Sequence, residues 1–201
     1  MNDAPESEAR ITLGLLDAVH RDSAVSQRRL SRDLGIALGL TNAYLKRCVR
    51  KGLIKMAATP ANRYAYYVTP KGFSEKSRLT AQYLARSFHF YRDARDQCGR
   101  LLGDAAAAGW RRIALAGEGE LAEIALLVAL KHPVEILGIL SARANGAQVF
   151  DRPVAARLDA LPPVDAVLLT ELETPQGTFD RLRDLVPPGR LLVPELLRVR
   201  A

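Results

Sequence analysis

The segment SQRRLSRDLGIALGLTNAYLKR, residues 26–47, decides the fold of the N-terminal part of the chain. Ser26 is a good N-cap for a short helix over residues 27–34, and Gly35 can supply the left-handed residue that ends such a helix. A second helix is predicted from about Leu38 to Lys51. Two helices joined by a tight glycine turn predict a helix-turn-helix.

Two short strands are predicted after the second helix, at Leu53–Ala57 and Arg63–Val68, with residues 59–62 at the tip between them. A hairpin in this position is the wing of a winged helix-turn-helix, which lays its second helix in the major groove of DNA. Upstream, apolar residues recur at helical spacing from Ala9 to Arg21 and predict a supporting helix. Residues 1–8 are polar and are predicted to be frayed.

The positive charge of the chain is concentrated in its first half. The net charge of the whole chain is +7, but residues 1–100 contain 18 Lys and Arg against nine Asp and Glu, and residues 101–201 contain 11 against 13. Between residues 28 and 63, Asp33 is the only acid beside nine bases: Arg28, Arg29, Arg32, Lys46, Arg47, Arg50, Lys51, Lys55 and Arg63. This asymmetry indicates a nucleic-acid-binding module joined to a domain of another kind.

Within the second helix, one stripe of residues is predicted to face the core and the opposite stripe to face DNA. Thr41, Leu45 and Cys48 form the core stripe, with Tyr44 at its edge, and Cys48 is interpreted as a small hydrophobe rather than an oxidation sensor. Asn42 can pair with adenine, and Lys46 can donate to guanine or phosphate. The predicted DNA-facing residues of this helix are Gly39, Leu40, Asn42, Ala43, Lys46 and Arg50.

Three further arginines are candidate DNA contacts. Arg28 and Arg29 lie near the start of the preceding helix, where phosphate contacts position a protein without reading sequence. Arg63 lies beside the tip of the wing and is a candidate for insertion into the minor groove. The alternative for all of these residues is the solvated face of a surface helix or strand.

Several classes of protein are excluded by composition. The longest apolar run, near residues 124–130, is far shorter than a membrane span, and the start of the chain has no secretory-signal pattern. Cys48 and Cys98 form no CxxC pair and the three histidines are scattered, so no metal site is predicted. These features lead us to expect a cytoplasmic protein without membrane contact.

A long helix is predicted from Ser74 to about Ala107, since this stretch lacks Pro and contains Gly only near its end. Leu84, Phe88, Tyr91, Cys98 and Leu102 form one apolar seam, and a second seam contains Tyr83, Phe90, Ala94 and Leu101. One helix cannot bury both seams alone, so the same helix of a second subunit is the expected partner. The alternative is that the seams pack on domains of the same chain.

Residues 26–92 resemble MarR-type winged-helix regulators of the exopolysaccharide-associated kind. The resemblance depends on LGIALGLTNAYLKR, KGLIKM, YAYYVTPKGFSEKSRLT and YLARSFHFYRDAR. It implies operator binding by a homodimer. The segment departs from such motifs at Ala37, where a capping Ser is commoner, and at Leu40, where a polar or basic residue is frequent.

The second half of the chain begins with a pattern typical of a Rossmann-type unit. A strand over Arg112–Ala116 is followed by the G-x-G-x-x-A sequence of residues 117–122, a helix to Lys131 and a strand over Val134–Leu140. Further strand segments near Val149–Val154, at Ala166–Thr170 and at Leu191–Val193, and a helix at Gln176–Leu185, complete the pattern. The alternation predicts a small α/β domain with a parallel sheet and helices on both faces.

The glycine loop is a candidate binding site for a nucleotide or dinucleotide, because such loops bring a helix N-terminus to a phosphate. The second strand ends without the acid that a classical NAD site uses, and Ser141 and Arg143 could instead hold a ribose phosphate. The negative charges of Glu118 and Glu120 would repel a pyrophosphate in this loop unless the two side chains point away from it. The candidate ligand-binding residues are Gly117, Glu118, Gly119, Glu120, Leu121, Ser141 and Arg143. A different small ligand and a purely structural dimerisation role are the alternatives.

Residues 112–194 also resemble the small Rossmann-like modules of sugar-nucleotide and CoA-binding proteins. GEGELAEIA and FDRPVAARLDALPPVDAVLLT carry this resemblance, which implies a fold more than a substrate. A winged helix followed by a Rossmann module is also the architecture of the redox-sensing Rex repressors. The missing acid after the second strand argues against transferring NADH sensing to this chain.

The predicted organisation is a winged helix-turn-helix at residues 1–72, a linker and dimerisation helix at 73–108, and a Rossmann-like domain at 109–201. The expected function is a dimeric, sequence-specific transcription regulator that binds double-stranded DNA and senses a nucleotide-type metabolite. The alternatives are a DNA-binding protein whose second domain is a ligand-free scaffold, and a nucleotide-dependent enzyme. No catalytic residues are recognisable, so an enzyme is not expected.

Overall fold

The computed structural model describes residues 3–59, 63–142 and 148–200. The chain divides into two compact units, residues 1–87 and 88–201. The first unit is a winged helix-turn-helix and the second is an α/β domain with a mostly parallel sheet. The predicted fold class is therefore confirmed.

Three helices form the body of the first unit: α1 (Asp3–Arg21), α2 (Gln27–Leu34) and α3 (Leu38–Arg50). The prediction that residues 1–8 are frayed is wrong for residues 3–8, which belong to α1. Glu8 explains part of this extension, because its carboxylate pairs with the Arg47 guanidinium of α3 at 2.7 Å. The core contains Leu15, Leu16 and Leu30, which are fully buried.

The first helix of the helix-turn-helix, α2, has the N-cap and the C-cap that the sequence predicts. Ser26 accepts a hydrogen bond from the backbone N–H of Arg29, and Gly35 adopts φ 63° and donates to backbone carbonyls of α2. Leu, Ile or Val would be strained in that left-handed conformation. Helix α3 has no such cap, since Ala37 stands at its N-cap position and offers no side-chain acceptor.

A serine at position 37 should therefore stabilise the first unit. Ala37 has the extended ψ of 143° that an N-cap needs, so a Ser hydroxyl there can accept from a free N–H of the first turn of α3. We expect Ala37→Ser to raise the free energy of unfolding by about 1 kcal/mol and Ser26→Ala to lower it by about the same amount. Urea denaturation followed by circular dichroism measures both; a destabilised Ala37→Ser protein would contradict this account of α3.

The wing is an antiparallel hairpin of β1 (Ile54–Thr59) and β2 (Arg63–Val68), in register from Ile54 opposite Val68 to Thr59 opposite Arg63. The tip residues 60–62 lie outside the described residues. The hairpin is tied to the body of the unit by the backbone bond from Tyr66 N to Ser23 O, at 2.8 Å.

Helix α4 runs from Pro70 to Ala107, four residues longer at its start than predicted. Residues 70–73, which the sequence left outside the predicted helix, form its first turn. Thr69 Oγ1 accepts from the backbone N–H of Gly72 at 3.0 Å, which is the geometry of a helix N-cap, and Pro70 follows at the first helical position. A Thr-Pro pair thus starts the helix immediately after β2.

Each apolar seam of α4 is buried towards the end of the helix and exposed nearer its start. In the C-terminal half, Ala94, Cys98 and Leu102 are completely buried in the core of the second unit. For these residues the expectation of a partner subunit is wrong, because the core of the same unit covers them. Residues 80–89 are exposed on every side of the helix. The part of the first seam that remains uncovered contains Leu84, Phe88 and Tyr91, which are 46%, 60% and 41% exposed.

The second unit is built on six strands in the order β5-β6-β4-β3-β7-β8. Their bounds are β3 Arg112–Ala116, β4 Glu135–Leu140, β5 Gln148–Val149, β6 Arg152–Ala155, β7 Ala166–Leu169 and β8 Leu191–Leu192. All neighbours pair in parallel except β5, which is antiparallel to β6 at the edge. Helix α5 (Glu120–Ala129) connects β3 to β4, and α6 (Pro175–Leu182) connects β7 to β8. Both helices are shorter than predicted.

The strand order contains a switch point. From β3 the chain moves outward through β4 to β6, and it then returns to the other side of β3 with β7 and β8. In open α/β sheets a crevice forms at such a point, beyond the carboxyl ends of the strands. Here the switch lies between β3 and β7, whose carboxyl ends lead into Gly117 and Thr170.

At the amino ends of the strands, Asp165 connects the start of β7 to the start of β3. Its carboxylate accepts from the backbone N–H groups of Arg111 and Arg112, at 3.0 and 2.8 Å, and from the Arg112 guanidinium at 2.8 Å. These hydrogen bonds lower the pKa of the Asp165 carboxyl well below its ordinary value, with the Arg112 side chain as the largest cause.

Acid should selectively remove the contribution of Asp165 to stability. Because the folded pKa lies below the unfolded value of about 4, the contribution is fully present above that pH and is lost as the pH falls below it. We expect Asp165→Asn to lower the melting temperature at pH 7, and the difference from wild type to shrink as the pH is lowered to about 3. Asp184→Asn, at a site that is 83% exposed, is the control. A pH-independent difference would contradict this role of the ionised carboxylate.

Candidate functional site

The recognition helix α3 presents the face that the sequence predicts. Thr41, Leu45 and Cys48 are buried, and Tyr44 is half-buried at their edge. On the other side, Asn42 is half-buried, and the remaining predicted DNA-facing residues are all exposed: Gly39, Leu40, Ala43, Lys46 and Arg50. Small residues at 39 and 43 keep the helix backbone open to close approach by a groove edge.

The cationic side chains of this region differ in whether they form ion pairs with Asp or Glu. Lys46, Arg50 and Arg28 are exposed, and they form no ion pair within residues 3–59, 63–142 and 148–200. Arg29 is held by Asp22 at 3.3 Å and by Asp33 at 3.6 Å. A phosphate contact from Arg29 must therefore compete with two carboxylates, whereas Lys46, Arg50 and Arg28 can bind a phosphate or base directly.

The wing contributes exposed aromatic groups that sequence reasoning missed. Tyr64 and Tyr67 of β2 are 54% and 48% exposed, and Lys55 of β1 lies opposite Tyr67 in the register. Strand alternation could not have found both, because residues three apart point to opposite faces of a strand and Tyr66, two residues after Tyr64, is buried. Arg63 begins β2, but its side chain lies outside the described part of the chain.

The two cysteines are structural. Burial raises the pKa of the Cys48 thiol to about 11, and it raises the pKa of the Cys98 thiol to about 11 as well. Thiolate is the reactive form, so both groups are unreactive near neutral pH. The interpretation of Cys48 as a small hydrophobe agrees with this environment.

Thiol labelling should distinguish this role from redox sensing. We expect the native protein at pH 8 to react slowly with Ellman's reagent, and the protein in guanidinium chloride to release both thiols at once. Rapid labelling of either cysteine in the native protein would contradict a structural role.

A cleft of about 1410 Å³ lies beside the glycine loop at the carboxyl ends of the strands and extends along the 156–167 and 171–187 segments. Gly117 adopts φ 115°, and a Cβ built on it would lie 2.4 Å from the backbone N and Cα of Glu171. Thr170 Oγ1 donates to Gly117 O at 2.6 Å, and Gly117 N donates to Leu140 O at 2.8 Å. The first glycine is thus required by close packing of the loop against the chain that follows β7.

The second glycine of the loop has a different environment. Gly119 adopts φ 120°, and a Cβ built on it would meet no described atom within 4 Å. Its open side leaves room beside the N-terminus of α5, which has no side-chain cap. The loop therefore combines a tightly packed glycine at 117 with an accessible one at 119.

Two carboxylates of the cleft are positioned by hydrogen bonds. Ser141, which follows β4, donates its hydroxyl to Glu118 Oε1 at 2.5 Å. Glu171, which follows β7, accepts from the backbone N–H of Glu173 at 2.8 Å just before α6 begins. Glu171 also accepts from the backbone N–H of Thr174 at 3.4 Å. The cleft is therefore acidic at the positions where a classical dinucleotide site binds phosphates.

The other predicted ligand-binding residues differ in whether they line the cleft. Glu120 is exposed at the start of α5 and lines the cleft, whereas Leu121 is buried in the core. Leu121 therefore serves the fold rather than direct ligand contact. Arg143 lies outside the described residues. Residues 3–59, 63–142 and 148–200 contain no cluster of three or more His, Cys, Asp or Glu arranged to hold a metal ion.

Comparison with protein families identifies the first unit. Residues 9–55 match the model of winged helix-turn-helix DNA-binding domains. The match covers most of α1, all of α2 and α3, and the start of β1. The chain therefore contains a winged helix-turn-helix DNA-binding domain. No curated protein sequence is significantly similar to the chain. None of the described helices is long and apolar enough to cross a membrane.

Two solved structures show partial similarity. MepR, a transcription regulator of the Staphylococcus aureus multidrug efflux pump MepA, is 22% identical, with a TM-score of 0.36 over 41% of this chain. The chain spans 61% of the MepR chain. Human N-acetylserotonin methyltransferase in complex with SAM is 14% identical, with a TM-score of 0.34 over 94% of this chain and 75% of that one.

Proposed function

We propose that this chain is a dimeric, sequence-specific transcription regulator of the MarR-like kind whose second unit senses a nucleotide-type metabolite. The observation that carries the proposal is the exposed face of α3, where Lys46 and Arg50 follow the small residues Gly39 and Ala43 inside a domain of DNA-binding type. Such a face suits the major groove, where Lys and Arg read guanine and contact phosphate.

Dimerisation is supported by the uncovered seam of α4. Leu84, Phe88 and Tyr91 follow one another at helical spacing, and aromatic side chains exposed to this degree usually mark an interaction surface. A second copy of the same helix fits the seam, because equal apolar stripes on two helices can pack about a two-fold axis. Such a dimer would present two recognition helices to an operator with matching symmetry.

Ligand sensing is supported by the cleft at the switch point of the sheet. The cleft lies where open α/β sheets bind their ligands, and Gly119 leaves its wall accessible. A ligand bound there regulates DNA binding if it binds one dimer geometry more tightly than another. We propose binding rather than catalysis for this unit, since the cleft contains carboxylates already engaged as structural acceptors.

A ligand-free scaffold is the second candidate for the second unit. Glu171 occupies the backbone N–H groups before α6, and Gly117 packs directly against Glu171. These contacts favour a loop that is complete without a ligand.

A thermal-shift screen of the purified protein separates the two candidates. The compounds are nucleosides, nucleotides, oxidised and reduced dinucleotides, nucleotide sugars and CoA esters. A ligand that binds the folded state raises the melting temperature by mass action. A shift with one class, together with changed DNA affinity in its presence, supports the sensor. No shift with any class, in a protein that still binds DNA, supports the scaffold.

A further inference from the structure

The end of β4 lacks the acid that usually holds a ribose in a dinucleotide-binding fold, and Ser141 stands there instead. The structure brings a carboxylate to this place from a different part of the chain. The side chain of Glu118, a residue of the glycine loop, accepts a hydrogen bond from the Ser141 hydroxyl. The two residues are adjacent although they are 23 positions apart in sequence.

We propose that Glu118 and Ser141 together form a recognition site for the ribose diol of a nucleoside, with Glu118 in place of the missing strand acid. This inference rests on the proposed sensing function and specifies its ligand class. Both residues line the cleft, and both are only half-buried, so a ligand can reach them.

The chemistry of the pair selects free hydroxyls. An ionised carboxylate is an acceptor only, and Ser141 engages one of its two oxygens, so Oε2 can accept from a ligand hydroxyl. The carboxylate would repel a ribose phosphate at the same place. The sequence alone left Ser141 as a candidate phosphate ligand, and the position of Glu118 reverses that preference.

The other acidic residues near the glycine loop also disfavour binding of a phosphate. Glu120 and Glu123 lie in the first turn of α5, so the helix N-terminus that would attract a phosphate already carries acidic side chains. Glu171 places a further carboxylate just before α6, where it accepts from the backbone N–H groups of Glu173 and Thr174. The ligand is therefore held through its ribose rather than through a pyrophosphate.

The test measures melting temperatures of the full chain with adenosine, guanosine, cytidine and uridine, each beside its 2′,3′-dideoxy form. We expect at least one ribonucleoside to raise the melting temperature by about 2 °C or more, and its dideoxy form to give no shift. Glu118→Gln keeps the size of the side chain and should abolish the shift. Glu123→Gln removes the same charge five residues away, at an exposed position that does not line the cleft, and should retain the shift.

Three results would overturn the proposal: no shift with any ribonucleoside, equal shifts with both sugar forms, or an undiminished shift in Glu118→Gln. Melting of each variant without ligand shows whether it is folded. DNA binding is measured on the same samples. A protein that binds DNA and responds to another compound class refutes the ribose site alone, whereas loss of sequence-selective DNA binding refutes the proposed regulator.

Discussion

Replacing both Lys46 and Arg50 by Ala should weaken binding to the preferred DNA sequence by about tenfold or more. Each side chain is exposed on α3 and forms no ion pair within the described residues, so neither substitution disturbs an internal contact. A side chain that reads a base contributes about 1–3 kcal/mol, and a lost phosphate contact reduces the slope of log K against log salt by about 0.9. Fluorescence anisotropy with a labelled duplex, at several salt concentrations, measures both quantities.

Lys131→Ala is the matched control, since Lys131 is an exposed cation of the second unit. It should change the affinity little. If the double variant bound DNA as tightly as wild type, or if Lys131→Ala had an equal effect, α3 would not be the DNA-reading element.

Phe88→Glu should convert the protein from a dimer to a monomer. The side chain is 60% exposed in the single chain, so the substitution leaves the fold of each unit intact. In the proposed dimer the same position is covered by the partner helix, where an unpaired carboxylate is costly to bury. Sedimentation equilibrium should give twice the monomer mass for wild type and the monomer mass for the variant.

Gln82→Glu introduces the same charge two residues before Leu84, on a side of α4 turned by about 200° from the seam. It should leave the dimer intact, and circular dichroism should show full helicity in both variants. A wild-type monomer, or a dimeric Phe88→Glu protein, would contradict the assignment of this seam to a second copy. Monomeric Phe88→Glu should also bind a two-fold-symmetric operator more weakly than wild type.

The helix-turn-helix was predictable because its signals are local. Ser26 and Gly35 fix both ends of α2 through contacts within a few residues, and the apolar spacing of Thr41, Leu45 and Cys48 fixes the buried side of α3. Local caps and helical periodicity require no knowledge of the rest of the fold.

The two faces of α4 were not predictable in the same way. Leu84 and Leu102 belong to one apolar seam, but Leu102 is buried by the second unit whereas Leu84 is exposed. Periodicity shows that a seam must be covered and does not show which surface covers it. The start of α4 was also missed, because Thr-Pro-Lys-Gly fits both a turn and a capped helix start.

In the second unit, sequence spacing predicted the order of strands and the glycine loop but not the contacts around the loop. Glu118 meets Ser141, and Glu171 packs on Gly117, only because the parallel sheet brings the carboxyl ends of β3, β4 and β7 to one edge. Such long-range contacts decide the electrostatics of the cleft.

Selection of DNA from a random-sequence duplex library by the purified protein shows whether the chain binds DNA sequence-specifically. We expect enrichment of an inverted repeat whose half-sites are separated by about one helical turn, 10–10.5 base pairs, or a multiple of it. The Lys46→Ala, Arg50→Ala double variant should lose that enrichment. A final library with no preferred sequence, obtained with folded wild-type protein, would contradict the assignment of this chain as a sequence-specific DNA-binding regulator.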